Sequence, residues 1–226
     1  MRSARARLAI GLPLGLAFLA VSCGRDLSTQ PASSLNPPPP PPPATASASF
    51  SRDVSANGAS TAPITVTFTI KPFDDNTIVI GPHLLVIPAG SVCDPASSGY
   101  GEGVWNRGCA SVRHPIEVVA TATVVNGHPL VDFNTHLRFK PTPMFNRGAV
   151  MLYLRDNHAT SASKIAWCPT ANSSCVDESK RPVDAVELKT WYDASGYWVY
   201  RKIQHFSGYN VTGGDKGDSQ YSAAGM

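Results

Sequence analysis

The sequence predicts an all-β protein: an antiparallel β-sandwich of about nine to eleven short strands, preceded by a disordered Pro-rich tether. Three observations lead there. Between residues 62 and 212 apolar side chains recur at period two, in short runs punctuated by Gly, Pro, Asn and Asp. No eleven-residue window carries a helical period. The patterned part, about 150 residues, is enough for one core, whereas the stretch before it has few large apolar groups.

The chain begins with "MRSARAR", three arginines and no acid, followed by the apolar run "LAIGLPLGLAFLAV". That run is shorter than the roughly 20 residues that span a bilayer, and a basic start with a short apolar run reads as a secretory signal peptide over 1–22. A short retained membrane anchor is the alternative. "LAVSC" places Ser22 before Cys23 and resembles a bacterial lipobox, which implies lipidation of Cys23 and partnership with a membrane. One lipid chain binds only reversibly, so a diacylated or triacylated Cys23 would supply the second signal that stable anchoring takes. Residues 23–61 follow as the lipidated Cys and a linker too poor in apolar groups to fold. Its prolines 37–43 suit a polyproline II spacer, with a ligand for a proline-reading domain as the alternative.

In the patterned region "ITVTFTI" (64–70) alternates Ile64, Val66, Phe68 and Ile70 with threonines, a half-buried strand. "TIVIGPHLLVIPAG" reads as two strands broken at Gly81-Pro82, and "IEVVATATVV" (116–125) as another. "LVDFN", "LRFKP", "AVMLYLRD", "KIAWC", "VELKTWY" and "YWVYRKI" complete the set. A closed barrel is the alternative arrangement. Residues 213–226 read as a flexible tail.

The five cysteines make an odd set. If Cys23 is lipidated, Cys93, Cys109, Cys168 and Cys175 remain, an even set suited to an oxidising compartment. Of the three possible connectivities, spacing favours neighbours, Cys93–Cys109 and Cys168–Cys175. No CxxC spacing points to zinc. Three of the 19 Lys and Arg lie in the leader, which leaves as many basic groups as the 16 acidic ones. No basic patch marks a nucleic-acid partner.

Three pieces of the sandwich region, "LLVIPAGSV" (84–92), "LRFKPTPMFNRGAVMLYLRD" (137–156) and the closing strand "WVYRKIQHFSGYNV", follow one another along the chain. In that order they resemble the ZU-five-type domains of ankyrins, netrin receptors and a death-domain scaffold protein. The likeness covers about 64–212 and extends to looser bacterial relatives that are exported and often lipidated. It implies a sandwich used for protein interaction or structural support. The cysteines and the long 93–109 insertion depart from the animal domains.

Signatures of common enzymes are missing: no GxSxG, HExxH or GxxxxGK[ST] occurs. "GYGEGV" (99–104) fails GxGxxG and reads as a loop. Asp74-Asp75 read as a turn, "GGDKGDSQ" lacks a calcium-loop pattern, and histidines 83, 114, 128, 136, 158 and 205 form no pair on a helix face. No metal site and no cofactor are expected. The 93–109 loop holds Tyr100, Trp105 and Arg107, residue types enriched at binding hot spots. They are candidates for contact with an envelope protein or a glycan. The competing reading folds Trp105 back over the sandwich edge.

His205-Phe206-Ser207 is the remaining motif. In the death-domain scaffold relative this tripeptide is cut between Phe and Ser. In a continuous strand Ile203, His205, Ser207, Tyr209 and Val211 would share one face. His205 could then take the proton of Ser207 as its oxygen attacks the Phe206 carbonyl. Such a cut also calls for a strained bond and an oxyanion donor. The expectation is therefore a lipid-anchored, non-enzymatic envelope module for interaction or support. A self-processing domain and a carbohydrate-binding sandwich are the alternatives.

Overall fold

The computed structural model describes residues 62–141, 148–170, 174–180 and 188–213. The leader, Cys23, the linker and residues 214–226 of the tail lie outside the described residues. The protein is all-β, with two five-stranded antiparallel sheets forming a sandwich. Among the described residues ten strands run in chain order: β1 (Ile64–Ile70), β2 (Asn76–Ile80), β3 (His83–Ile87), β4 (Ile116–Val125), β5 (His128–Phe133), β6 (Met151–Arg155), β7 (Lys164–Cys168), β8 (Trp191–Asp193), β9 (Trp198–Lys202) and β10 (Gly208–Thr212). The first sheet has the order β1-β4-β5-β10-β7 and the second β2-β3-β6-β9-β8.

Local chemistry fixes the hairpins. Gly81 has a φ of 57° and opens the two-residue turn that pairs Ile80 with His83. This is the conformation only glycine adopts freely at that position, and Pro82 suits the next one. Asn126 and Gly127, with φ of 53° and 82°, make the equally short turn between β4 and β5. The Asp74-Asp75 segment is a turn, held by Asn76 Oδ1 accepting from Lys71 N at 2.9 Å and Asp75 Oδ1 from Ala89 N at 2.8 Å.

Inward faces of both sheets close over one core that includes Ile70, Ile80, Leu85, Val118, Val131, Leu152, Ile165, Val199 and Phe206. Period-two strands bury alternate residues against the opposite sheet about 10 Å away. "LRFKP" is not a ladder strand. Residues 137–140 instead run as a narrow band, with Val92 bridged to Phe139 and Arg138 to His205. The closing strand of the sequence reading is also corrected. β9 belongs to the second sheet and β10 to the first, so Ile203–Ser207 is the crossover between them rather than one continuous strand.

A buried Ser-His-Glu chain at the sheet crossover

The crossover puts the His-Phe-Ser tripeptide inside the protein: His205 and Phe206 are 0% exposed and Ser207 6%. Phe206 is clamped at its side chain, stacked on Phe133 at 4.2 Å and edge-on to Phe139 at 4.9 Å. Its backbone N donates to Leu137 O at 2.8 Å, and Phe139 N donates to Gln204 O at 2.8 Å. On the other side, a Cβ on Gly208 would meet Cys168 O at 2.9 Å, so the chain there lies directly against β7. Both flanks of the Phe206–Ser207 bond are thereby fixed.

His205 and Ser207 do meet, with Ser207 Oγ 3.2 Å from His205 Nδ1. A bend between sheets brings them together, not strand alternation. The other ring nitrogen, Nε2, lies 3.3 Å from Glu178 Oε1. Glu178 comes from the 3-10 turn Glu178–Lys180 and is fully buried. Its second oxygen accepts from Arg201 Nη2, while Arg201 Nη1 donates to Ile165 O at 2.9 Å. Burial alone would raise the Glu178 pKa, but the Arg201 charge and the bonds from His205 and Arg201 outweigh it and hold the carboxyl at about 2. Burial is the main cause that lowers the His205 pKa below 6.5, partly offset by Glu178. An ionised carboxylate facing Nε2 takes that nitrogen's proton as a hydrogen bond, and a neutral ring then leaves Nδ1 as the acceptor.

Two tyrosines complete the site. Tyr100 O–H donates to Phe206 O at 2.5 Å, and Tyr209 O–H donates to His205 O at 2.7 Å. Their oxygens also lie 3.4 and 3.3 Å from His205 Nδ1. Burial pushes Tyr100 up to about 12 and Tyr209 well above 10, so both stay protonated.

The stapled loop lies over this chain of groups. Both neighbouring disulfides are formed, Cys93–Cys109 and Cys168–Cys175. They mark the chain as one for an oxidising, extracytoplasmic environment. Trp105 is 2% exposed and stacks on the His205 ring at 3.9 Å. Trp167 meets both rings edge-on, at 5.0 and 5.4 Å. The expectation that Trp105 offers a contact face to a partner is therefore corrected, because its ring is spent on the imidazole. Tyr100 is 39% exposed but its hydroxyl points inward, and Arg107 is exposed with its backbone carbonyl held by Arg138 Nη1.

Glu178 and Arg201 were not singled out by the sequence. Glu178 has no local signal. Arg201 does, since it shares the inward face of β9 with Val199 and alternates with Ile203 just beyond the strand, and all three are 0% exposed. A cation on an apolar face requires a buried counterion. Among the other histidines, His128 Nδ1 pairs with Asp156 at 2.7 Å, away from this chain, and His83 Nδ1 accepts from Arg155 N at 3.1 Å.

Fold and site together make a disulfide-stapled β-sandwich with a buried Ser-His-Glu chain at the crossover between its sheets. No family model, characterised protein or solved structure matches the chain.

Proposed function

We propose that this domain cuts its own backbone between Phe206 and Ser207, and that it does so as part of an exported protein anchored through a lipidated Cys23. The observation that carries the first statement is a count of protons around His205 Nδ1. Three hydroxyls lie within 3.4 Å of that nitrogen. The hydrogens of Tyr100 and Tyr209 are already given to carbonyl oxygens, which leaves Ser207 as the hydroxyl with a proton to give.

The chemistry follows. Ser207 Oγ attacks the Phe206 carbonyl carbon as its proton moves to His205 Nδ1. The imidazolium formed is stabilised by the ionised Glu178. His205 returns the proton to Ser207 N, the C–N bond breaks, and an ester joins Phe206 to Ser207 Oγ. Water then adds and the ester C–O bond breaks, giving a Phe206 carboxylate and the restored Ser207 hydroxyl. None of residues 205–207 has positive φ; the non-glycine residues that do, among those described, are Asn126 and Tyr197. This reading leans on proton transfer and carbonyl polarisation.

The cut chain would stay assembled. β10 lies between β5 and β7, with ladder partners on both sides. The test is the intact mass of the purified protein under denaturing conditions. Expected are two species divided at 206/207, and a single uncut species for Ser207→Ala. A full-length wild-type chain alone overturns the reading.

A further inference from the structure

Ser207, His205 and Glu178 account for proton transfer but not for the negative charge that collects on Phe206 O during attack. A side chain from outside the crossover addresses that oxygen. Tyr100 O–H donates to it at 2.5 Å. Tyr100 comes from no strand of the sandwich. It sits on the 93–109 loop, whose ends are joined by the Cys93–Cys109 disulfide.

The loop is tied to the crossover through the narrow 137–140 band. Cys93 N donates to Arg138 O at 2.9 Å, and Lys140 N to Ser91 O at 2.7 Å. The same 137–139 band bonds the 204–206 segment on its other side. Within the loop the Arg138 guanidinium donates to Gly99 O at 3.2 Å and Val104 O at 2.8 Å, and Gln204 Nε2 reaches Asn106 Oδ1 at 2.8 Å. These bonds hold backbone on both sides of Tyr100. They need the loop already folded back, and the cross-link between its ends favours that state by restricting the open ones.

We propose that Tyr100 is the oxyanion donor for the Phe206–Ser207 cleavage and that the Cys93–Cys109 disulfide, by fixing the loop that carries it, makes cleavage wait for oxidation of the chain. The inference rests on Phe206–Ser207 being the scissile bond. Oxidation joins the two sulfurs as both thiols lose their protons, and the two electrons go to a disulfide oxidant by thiol–disulfide exchange. The oriented hydroxyl then strengthens its bond to Phe206 O as that oxygen becomes anionic, where a single donor contributes about 10²–10³-fold. The protein would thus remain one covalent chain in a reducing compartment and divide after export.

The full chain is synthesised in a reducing cell-free mixture, then divided, one half kept in dithiothreitol and one transferred to oxidised glutathione. Cleavage is followed by mass. Expected is a rate at least about tenfold higher in the oxidised half. Cys93→Ser/Cys109→Ser should remain slow in both halves. Tyr100→Phe keeps the ring and the staple, and should cut about 10²-fold more slowly under oxidation. Hydroxylamine, which attacks an ester already formed, should not restore its rate. Near-UV circular dichroism reports the Trp105 and Trp167 packing, so that an unfolded variant is recognised, and Tyr100→Phe then decides. If wild type never divides, the scissile-bond reading itself fails and this inference with it. If wild type divides while Tyr100→Phe matches its rate, the donor role is overturned and the scissile bond stands. Equal wild-type rates in both halves overturn the redox control.

Discussion

Replacing Glu178 by Gln separates the two tasks of the buried chain, because it keeps the shape of the side chain and removes its charge. Glu178 and Arg201 are both 0% exposed. Removing one partner of such a pair leaves the other charge buried and uncompensated, at a cost of about 3–5 kcal/mol. The depressed pKa gives a comparable figure. A carboxyl held at about 2 instead of 4.5 is stabilised in its charged form by about 3 kcal/mol. In a domain of about 150 residues each kcal/mol moves the melting midpoint by about 2–4 °C, so Glu178→Gln should lower it by about 6–20 °C. The chemistry should suffer more than the fold. A glutamine amide facing Nε2 can donate to it, which turns the imidazole to the tautomer with its proton on Nδ1 and removes the acceptor Ser207 needs. An analogous carboxylate-to-amide change in a Ser-His-Asp triad lowers turnover by about 10⁴-fold. Thermal melting in a non-reducing buffer measures the first effect, and the uncut fraction by mass, read below the variant's own midpoint, measures the second. A Glu178→Gln variant that melts within about 2 °C of wild type and still divides would refute both the charge pairing and the orienting role.

Three further outcomes are expected. Trp105→Ala should lower stability by about 3–5 kcal/mol, since the ring is buried on His205; an unchanged melt together with lost capture of an envelope protein or glycan would restore the contact-surface reading. Acidification should destabilise in two stages. His205 is held below 6.5, mainly by burial, yet takes up a proton freely when unfolded, so stability falls as pH drops below about 6.5. Glu178 contributes stability that is full above 4.5 and lost as pH falls toward about 2; melts that are flat with pH across both windows would contradict these assignments. Cys23→Ser should move the protein from the membrane fraction to the soluble one, and continued membrane association would count against lipidation at Cys23.

Much of the fold was legible in the sequence because its causes are local. Period two in "ITVTFTI" gives β1 with its bounds unchanged, and Gly81-Pro82 divides β2 from β3 because few residues other than glycine accept that φ. The cysteine spacing favoured the pairing that the structure adopts. The site was legible only in part. His205 and Ser207 are two residues apart, so their nearness was legible, but the bend between sheets that closes the contact was not. Arg201 carried a readable signal, a charge between Val199 and Ile203 on an inward face, but its partner did not. Glu178 sits in a short polar stretch with nothing to distinguish it from a solvated turn.

The sequence by itself determined the strand pattern, the turns and which residue types stand beside the Phe206–Ser207 bond, since each depends on near neighbours in the chain. Only the tertiary structure decided that the bond lies in a crossover between two sheets, that Glu178 faces His205 from 27 positions away and that Tyr100 reaches Phe206 O from 106 away. Contacts of that separation are set by how two sheets and a stapled loop pack together. Burial then pushes the imidazole toward its neutral form, while Arg201 and His205 hold the Glu178 carboxyl ionised against the same burial.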